Sequence, residues 1–136
     1  MKVLDVMTAD PVTVTPSETI RQADGFMDES NFRQLPVVNG RELVGIITDR
    51  DIRSFLSGSR YSGPEEWDKA MNSKISAVMT TQPITVAPDD DLTDAVEILL
   101  TEKVGAIPVV DEMEGLVGIL SYVDVLRCFL DRLSDH

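Results

Sequence analysis

Two heptapeptides carry the side chains best suited to hold a ligand: Gly45-Ile46-Ile47-Thr48-Asp49-Arg50-Asp51 and Gly118-Ile119-Leu120-Ser121-Tyr122-Val123-Asp124. Each is a glycine, two apolar residues, a hydroxyl residue, two variable residues and an aspartate. An ionised carboxylate accepts several hydrogen bonds, and a hydroxyl both donates and accepts. The order reads as the end of a buried strand, a turn carrying the hydroxyl and a helix start carrying the carboxylate. A plainer reading stands beside it. The aspartate also suits the positive end of a helix dipole, and the hydroxyl also caps a free N–H two or three residues on.

The motif is one part of an internal repeat. Val6-Met7-Thr8-Ala9-Asp10-Pro11-Val12-Thr13-Val14-Thr15-Pro16 matches Val78-Met79-Thr80-Thr81-Gln82-Pro83-Ile84-Thr85-Val86-Ala87-Pro88, and Leu35-Pro36-Val37-Val38 matches Ile107-Pro108-Val109-Val110. The offset is 72 residues as far as Val38 and Val110, and 73 from Leu43 and Leu116 onward, so the copies differ by one residue in a turn. In each copy a short β segment (Val12-Thr13-Val14 in the first) leads to a helix. Thr15-Pro16-Ser17-Glu18 predicts its start, with Thr15 at the cap, Pro16 at the first helical position and Glu18 at the third. Ile20, Ala23, Phe26 and Met27 recur at helical spacing, as do Leu92, Ala95, Val96, Leu99 and Leu100. Two apolar strands follow, joined by Asn39-Gly40, a strong hairpin signal, or by Asp111 to Gly115. Closing helices run from Asp49 to about Leu56 and from Tyr122 to about Leu133. The chain therefore reads as α/β (α+β), with two β-α-β-β-α repeats at 1–58 and 74–136 and a polar linker at 59–73. That linker holds Trp67, which either caps the groove between repeats or contacts a partner or ligand.

Composition narrows the function. A net charge of -12 argues against a nucleic acid polymer as partner but permits one small anion held locally. No apolar run reaches the roughly 18 residues of a membrane span. Cys128 is the only cysteine, so no intrachain disulfide can form, and a cytoplasmic location is the default. An enzyme is poorly supported: the one histidine, His136, is the last residue, and Cys128 has no histidine near it in sequence. No Cys/His cluster suggests a metal and no Gly-rich Lys loop suggests a nucleotide triphosphatase.

The doubled pattern Val-Met-Thr, Pro-Val-Thr-Val, Leu-Pro-Val-Val and Gly-Ile-Ile-Thr-x-x-Asp closely resembles the CBS domain, and two copies in tandem resemble a CBS pair, or Bateman module, over roughly Val3 to Leu133. The resemblance implies repeats packed sheet to sheet with pseudo-two-fold symmetry, clefts that often take AMP, ADP, ATP or S-adenosylmethionine, frequent homodimers, and a regulatory role toward an effector protein. No cofactor is required.

The same resemblance assigns roles residue by residue. Asp51 and Asp124 would accept the ribose hydroxyls. Thr48 and Ser121 would bond a phosphate or ribose oxygen when a ligand is present, and cap their helices otherwise. Arg33, three residues before Pro36, would face the phosphates, unless it is simply a solvated loop arginine. Its counterpart is Gly105, which has no side chain, and Arg50 and Arg53 also belong to the first copy. The Asp51 site is thus expected to be the better site for an anionic nucleotide, with contributions from both repeats. Val6, Met7, Ile46, Val78, Met79 and Ile119, with Gly105, would line the adenine slot; the alternative is ordinary core. Phe129, Leu130 and Leu133 make a stripe that finishes the core or forms a dimer interface, with the interface favoured. Because S-adenosylmethionine is cationic at sulfur, Arg33 favours AMP, ADP or ATP. A docking scaffold with empty clefts remains a distinct alternative.

Overall fold

The computed structural model describes residues 1–30 and 32–135; His136 lies outside them. In chain order the elements are β1 (Thr8–Ala9), α1 (Ile20–Ser30), β2 (Gln34–Asn39), β3 (Glu42–Thr48), α2 (Asp49–Leu56), α3 (Pro64–Met71), β4 (Thr80–Thr81), α4 (Leu92–Glu102), β5 (Ala106–Val110), β6 (Leu116–Ser121) and α5 (Tyr122–Ser134). Single 3-10 turns at Val3–Asp5 and Ile75–Ala77 precede β1 and β4. The fold is mixed α/β, with two three-stranded antiparallel sheets among the described residues, ordered β1-β6-β5 and β2-β3-β4.

The chain forms two compact units: Val12–Gln82, and Met1–Pro11 together with Pro83–His136. Each unit is completed by a segment from the other sequence copy. In the Val12–Gln82 unit, β2 and β3 make the hairpin around Gly40, whose φ of 64° suits glycine. β4 adds two residue pairs, Gly45 with Thr81 and Ile46 with Thr80. The core beneath gathers Val14, Ile20, Ala23, Leu35, Val37, Ile47 and Ile52, with Ile75 from the second copy. Trp67 on α3 packs against this core, partly buried. In the other unit, β1 pairs Thr8 with Ile119 and Ala9 with Gly118. Its core holds Val3 from the first copy with Val86, Ala95, Leu99, Ile107, Val109 and Leu120. Each hairpin shifts register at the equivalent place, between Val37 and Val38 and between Val109 and Val110. Such a shift adds local twist to a short sheet.

The start expected for the first helix is corrected. α1 begins at Ile20, not at Pro16. Thr15 to Glu18 instead closes a turn of its own, with the Glu18 N–H donating to the Thr15 carbonyl and the Thr15 N–H to Glu18 Oε1. The cap is Thr19: its N–H donates to Gln22 Oε1 while its Oγ1 accepts from the Gln22 N–H. Pro16 and Glu18 spend their carbonyls elsewhere, on the N–H groups of Ser76 and Ile75, and so cannot join a helix. The second copy repeats the arrangement. The Pro88 and Asp90 carbonyls accept from Leu4 and Val3, and Asp91 caps α4 by accepting from the Thr93 N–H. Val12-Thr13-Val14 is likewise less than a strand, with Val14 making one parallel bridge to Val37, as Val86 does to Val109.

Candidate functional site

In both copies the heptapeptide carries the chain from strand to helix. Thr48 and Ser121 cap α2 and α5, their hydroxyls accepting from the N–H groups of Asp51 (3.1 Å) and Asp124 (3.2 Å). The aspartates answer: Asp51 Oδ2 accepts from the Thr48 N–H at 3.0 Å and Asp124 Oδ2 from the Ser121 N–H at 2.9 Å. These reciprocal boxes satisfy two otherwise orphaned backbone donors each. They also pin each carboxylate at a helix start, where the dipole favours negative charge.

The glycine that opens each motif has a steric reason. A Cβ on Gly45 would stand 2.8 Å from the Thr80 carbonyl oxygen and 2.9 Å from Met79 Sδ. One on Gly118 would stand 2.9 Å from the Thr8 carbonyl oxygen and 2.6 Å from Met7 Sδ. Only glycine lets the short third strand lie this close.

The surroundings of the two carboxylates differ. Asp124 is buried, 7% exposed, and takes two further hydrogen bonds, from Thr8 Oγ1 to Oδ1 at 2.9 Å and from Ser121 Oγ to Oδ2 at 3.0 Å. Asp51 is half-buried, and among the described residues only its Oδ2 accepts a hydrogen bond. No buried side-chain oxygen or nitrogen among the described residues lacks a partner, so Asp51 Oδ1, which accepts no hydrogen bond among them, is not sealed from solvent.

Three arginines stand around the start of α2, but the cleft lined by Arg33 and Arg53 includes neither Asp51 nor Thr48. Arg33 Nη1 donates to Asp49 Oδ2 at 3.2 Å, Arg53 Nη2 reaches the same oxygen at 3.4 Å, and Arg50 is exposed. The Arg33 carbonyl also accepts from the Asp49 N–H, so both its main chain and its side chain lean on the α2 start. Arg33, Asp49 and Arg53 line a cleft of about 260 Å³ with Asp24, Met27, Asp28, Phe32 and Ile52. Burial, and secondarily the neighbouring Asp28, push the Asp24 carboxyl above its ordinary range. The matching position in the second copy is Gly105, whose carbonyl accepts from the Tyr122 N–H.

Of the residues expected at the adenine, Val78 and Met79 pack on the core of the Val12–Gln82 unit, and Val6 and Met7 on the other core, all partly buried. Ile46 and Ile119 stand on the sheet faces opposite Ile47 and Leu120 by strand alternation. Phe129, Leu130 and Leu133 are exposed and do not finish the core of their unit.

Two participants were not anticipated from sequence. Asp49 gathers the arginines; its i,i+4 spacing to Arg53 was the available signal. Thr8 bonds Asp124 across 116 residues; its place in the repeated Val-Met-Thr block was the only hint.

No described helix is long and apolar enough to cross a membrane. The family model for the CBS domain matches residues 3–58 and 75–131. The uncharacterized protein MJ1225 of Methanocaldococcus jannaschii is 36% identical over 133 residues, which cover 92% of this chain and 48% of that protein. The chain thus spans about half the length of that relative. The solved structure of CBSX2 from Arabidopsis thaliana in complex with AMP superposes with a TM-score of 0.82 at 30% identity, covering 96% of each chain. The CBS domain pair of the protein MJ0100, in complex with 5'-methylthioadenosine and S-adenosyl-L-methionine, gives 0.80 at 27% identity, over 95% of this chain and 99% of that one. Both family matches begin at equivalent points of the internal repeat, and each takes in one of the two capped aspartates: the chain belongs to the CBS domain family and carries the domain as a tandem pair.

Proposed function

We propose that this CBS pair is a regulatory sensor that binds an adenosine-containing ligand, AMP, ADP or ATP in preference, without transforming it, and reports occupancy to a partner protein. The observation that carries the reading is Asp51: one carboxylate oxygen is fixed by the Thr48 N–H, and the other, beside a helix start, accepts no hydrogen bond among the described residues and is not sealed from solvent. A carboxylate so placed accepts both hydroxyls of a ribose. Arg33 and Arg53, both paired with Asp49 at the start of the same helix, add positive charge that favours a phosphate on the first copy's side. Arg33 must first leave Asp49, and this costs little, because the guanidinium is 68% exposed and an exposed pair is worth at most about 1 kcal/mol. AMP in the CBSX2 neighbour supports a phosphorylated ligand.

A second reading, a sensor of S-adenosylmethionine, draws on the ligands of the MJ0100 pair. Calorimetric titration with AMP, ADP, ATP and S-adenosylmethionine separates the two. The proposal expects a phosphorylated nucleotide to bind, Asp51→Ala to weaken it roughly tenfold or more through loss of hydrogen bonds to a charged acceptor, and Arg33→Ala to weaken it by a smaller factor. Binding of S-adenosylmethionine alone would favour the second reading. Silence with every ligand from folded protein would favour a constitutive docking scaffold.

The exposed face of α5 supports a homodimer: Leu126, Phe129, Leu130 and Leu133 are all exposed on one helix. Sedimentation of the Phe129→Glu variant checks this. A wild-type dimer that the variant turns into a monomer is expected, and a monomeric wild type sinks the assignment.

A further inference from the structure

The two motif aspartates occupy equivalent sequence positions, yet they have unequal capacity left for a ligand. An ionised carboxylate offers about four acceptor sites. Asp124 already receives Thr8 Oγ1, Ser121 N–H and Ser121 Oγ, and it is buried. About one site is left, where a ribose diol needs two. Asp51 receives only the Thr48 N–H among the described residues, which leaves about three.

The difference lies in the short strands. Thr8 on β1 stands opposite Ile119, and Thr80 on β4 stands opposite Ile46, in the same register. Both are threonines, and only the Thr8 hydroxyl reaches its aspartate, at 2.9 Å. The second box is also tighter, because Ser121 Oγ donates to its aspartate as well as capping the helix.

We infer that Thr8 is a specificity-determining residue: its hydroxyl occupies the Asp124 acceptor that a ribose would need, so ligand fills the Asp51 motif first and reaches Asp124 only when Thr8 lets go. This rests on the reading that the motif aspartates accept ribose hydroxyls. Thr8 sits on a strand of only two residue pairs. Occupancy at Asp124 is therefore coupled to the seating of that strand, whereas occupancy at Asp51 leaves it alone.

The test is calorimetric titration of ADP into the whole chain as wild type, Asp51→Ala, Thr8→Val and the Asp51→Ala/Thr8→Val pair. Thr8→Ala serves as a second hydroxyl deletion and Thr8→Ser as the conservative control. Wild type is expected to bind one ADP per chain with measurable affinity, and Asp51→Ala to weaken that site. In the Asp51→Ala background, Thr8→Val or Thr8→Ala should tighten the remaining site by roughly tenfold or more, the scale of a hydrogen bond to a charged group. Thr8→Ser should leave that site weak. 2'-deoxy-ADP should gain nothing from either deletion, since it lacks the diol; a merely structural role for Thr8 would not distinguish the two nucleotides. If ADP binds wild type through Asp51 but the Thr8 deletions bring no gain at the remaining site, or a loss, the inference falls alone. If ADP binds neither wild type nor any Thr8 variant, it falls together with the reading beneath it.

Discussion

Replacing Ile47 by alanine is expected to lower the unfolding free energy by about 2–5 kcal/mol, a large share of the 5–15 kcal/mol typical of a folded domain. Ile47 is fully buried on β3 opposite Leu35, in the core that also holds Val14, Ile20, Val37 and Ile52. Removing its outer carbons forfeits the burial of those atoms and leaves a cavity, and neighbours fixed by a paired strand relax only in part. The effect extends to the site, because Ile47 directly precedes the Thr48 cap. Urea denaturation reads the result: the midpoint should fall with little change in slope. Leu120, its partner in the repeat, is equally buried in the other core, and Leu120→Ala should cost a similar amount. A loss below about 1 kcal/mol at Ile47 would mean that this core collapses around the gap and that the packing does not hold the motif in place.

Much of this architecture was legible because its signals are local. Asn39-Gly40 marks the first hairpin through a backbone preference confined to that turn, and Gly40 adopts the positive φ it permits. The closing helices start where a hydroxyl precedes an aspartate by three residues, and both boxes form. The same kind of signal misplaced α1, where two polar boxes lie in succession, Thr15 to Glu18 and Thr19 to Gln22. Local propensity suits either. The choice is made by Ser76 and Ile75, distant in sequence, whose N–H groups claim the Pro16 and Glu18 carbonyls. A repeat also leaves partners undecided. Met7 and Met79 are equivalent in sequence, so correspondence alone does not say which copy's Val-Met-Thr block lies against Gly45 and which against Gly118. Each block lies against the glycine of the other copy. For that reason the compact units cut the chain differently from the sequence copies. The inequality of Asp51 and Asp124 was hidden for a related reason: the reach of one hydroxyl on β1 is set by the seating of a two-pair strand, which residue types do not encode.

Gly118→Ala is expected to unseat that strand. The added Cβ would stand 2.6 Å from Met7 Sδ and 2.9 Å from the Thr8 carbonyl oxygen. The thioether can swing away; the carbonyl belongs to the backbone and can move only with β1. β1 pairs with β6 over only two residues, Thr8 with Ile119 and Ala9 with Gly118, extended by a long 3.4 Å bond from the Asp10 N–H to the Val117 carbonyl, so detachment is the cheapest relief. Overpacking of this kind costs typically about 1–3 kcal/mol. Gly45→Ala, whose Cβ would meet the Thr80 carbonyl oxygen at 2.8 Å, should cost a similar amount by displacing β4. The two variants should nevertheless differ in what they release. Only the loss of β1 withdraws the Thr8 hydroxyl from Asp124, since Thr80 makes no such bond to Asp51 among the described residues. Hydrogen exchange should therefore quicken over residues 6–10 in Gly118→Ala and over residues 78–82 in Gly45→Ala. Of the two, only Gly118→Ala should mimic Thr8→Val in strengthening ADP binding when Asp51 is replaced. Unchanged exchange over residues 6–10, with a stability loss under about 0.5 kcal/mol, would show that β6 yields instead and that the glycine is not what seats the strand.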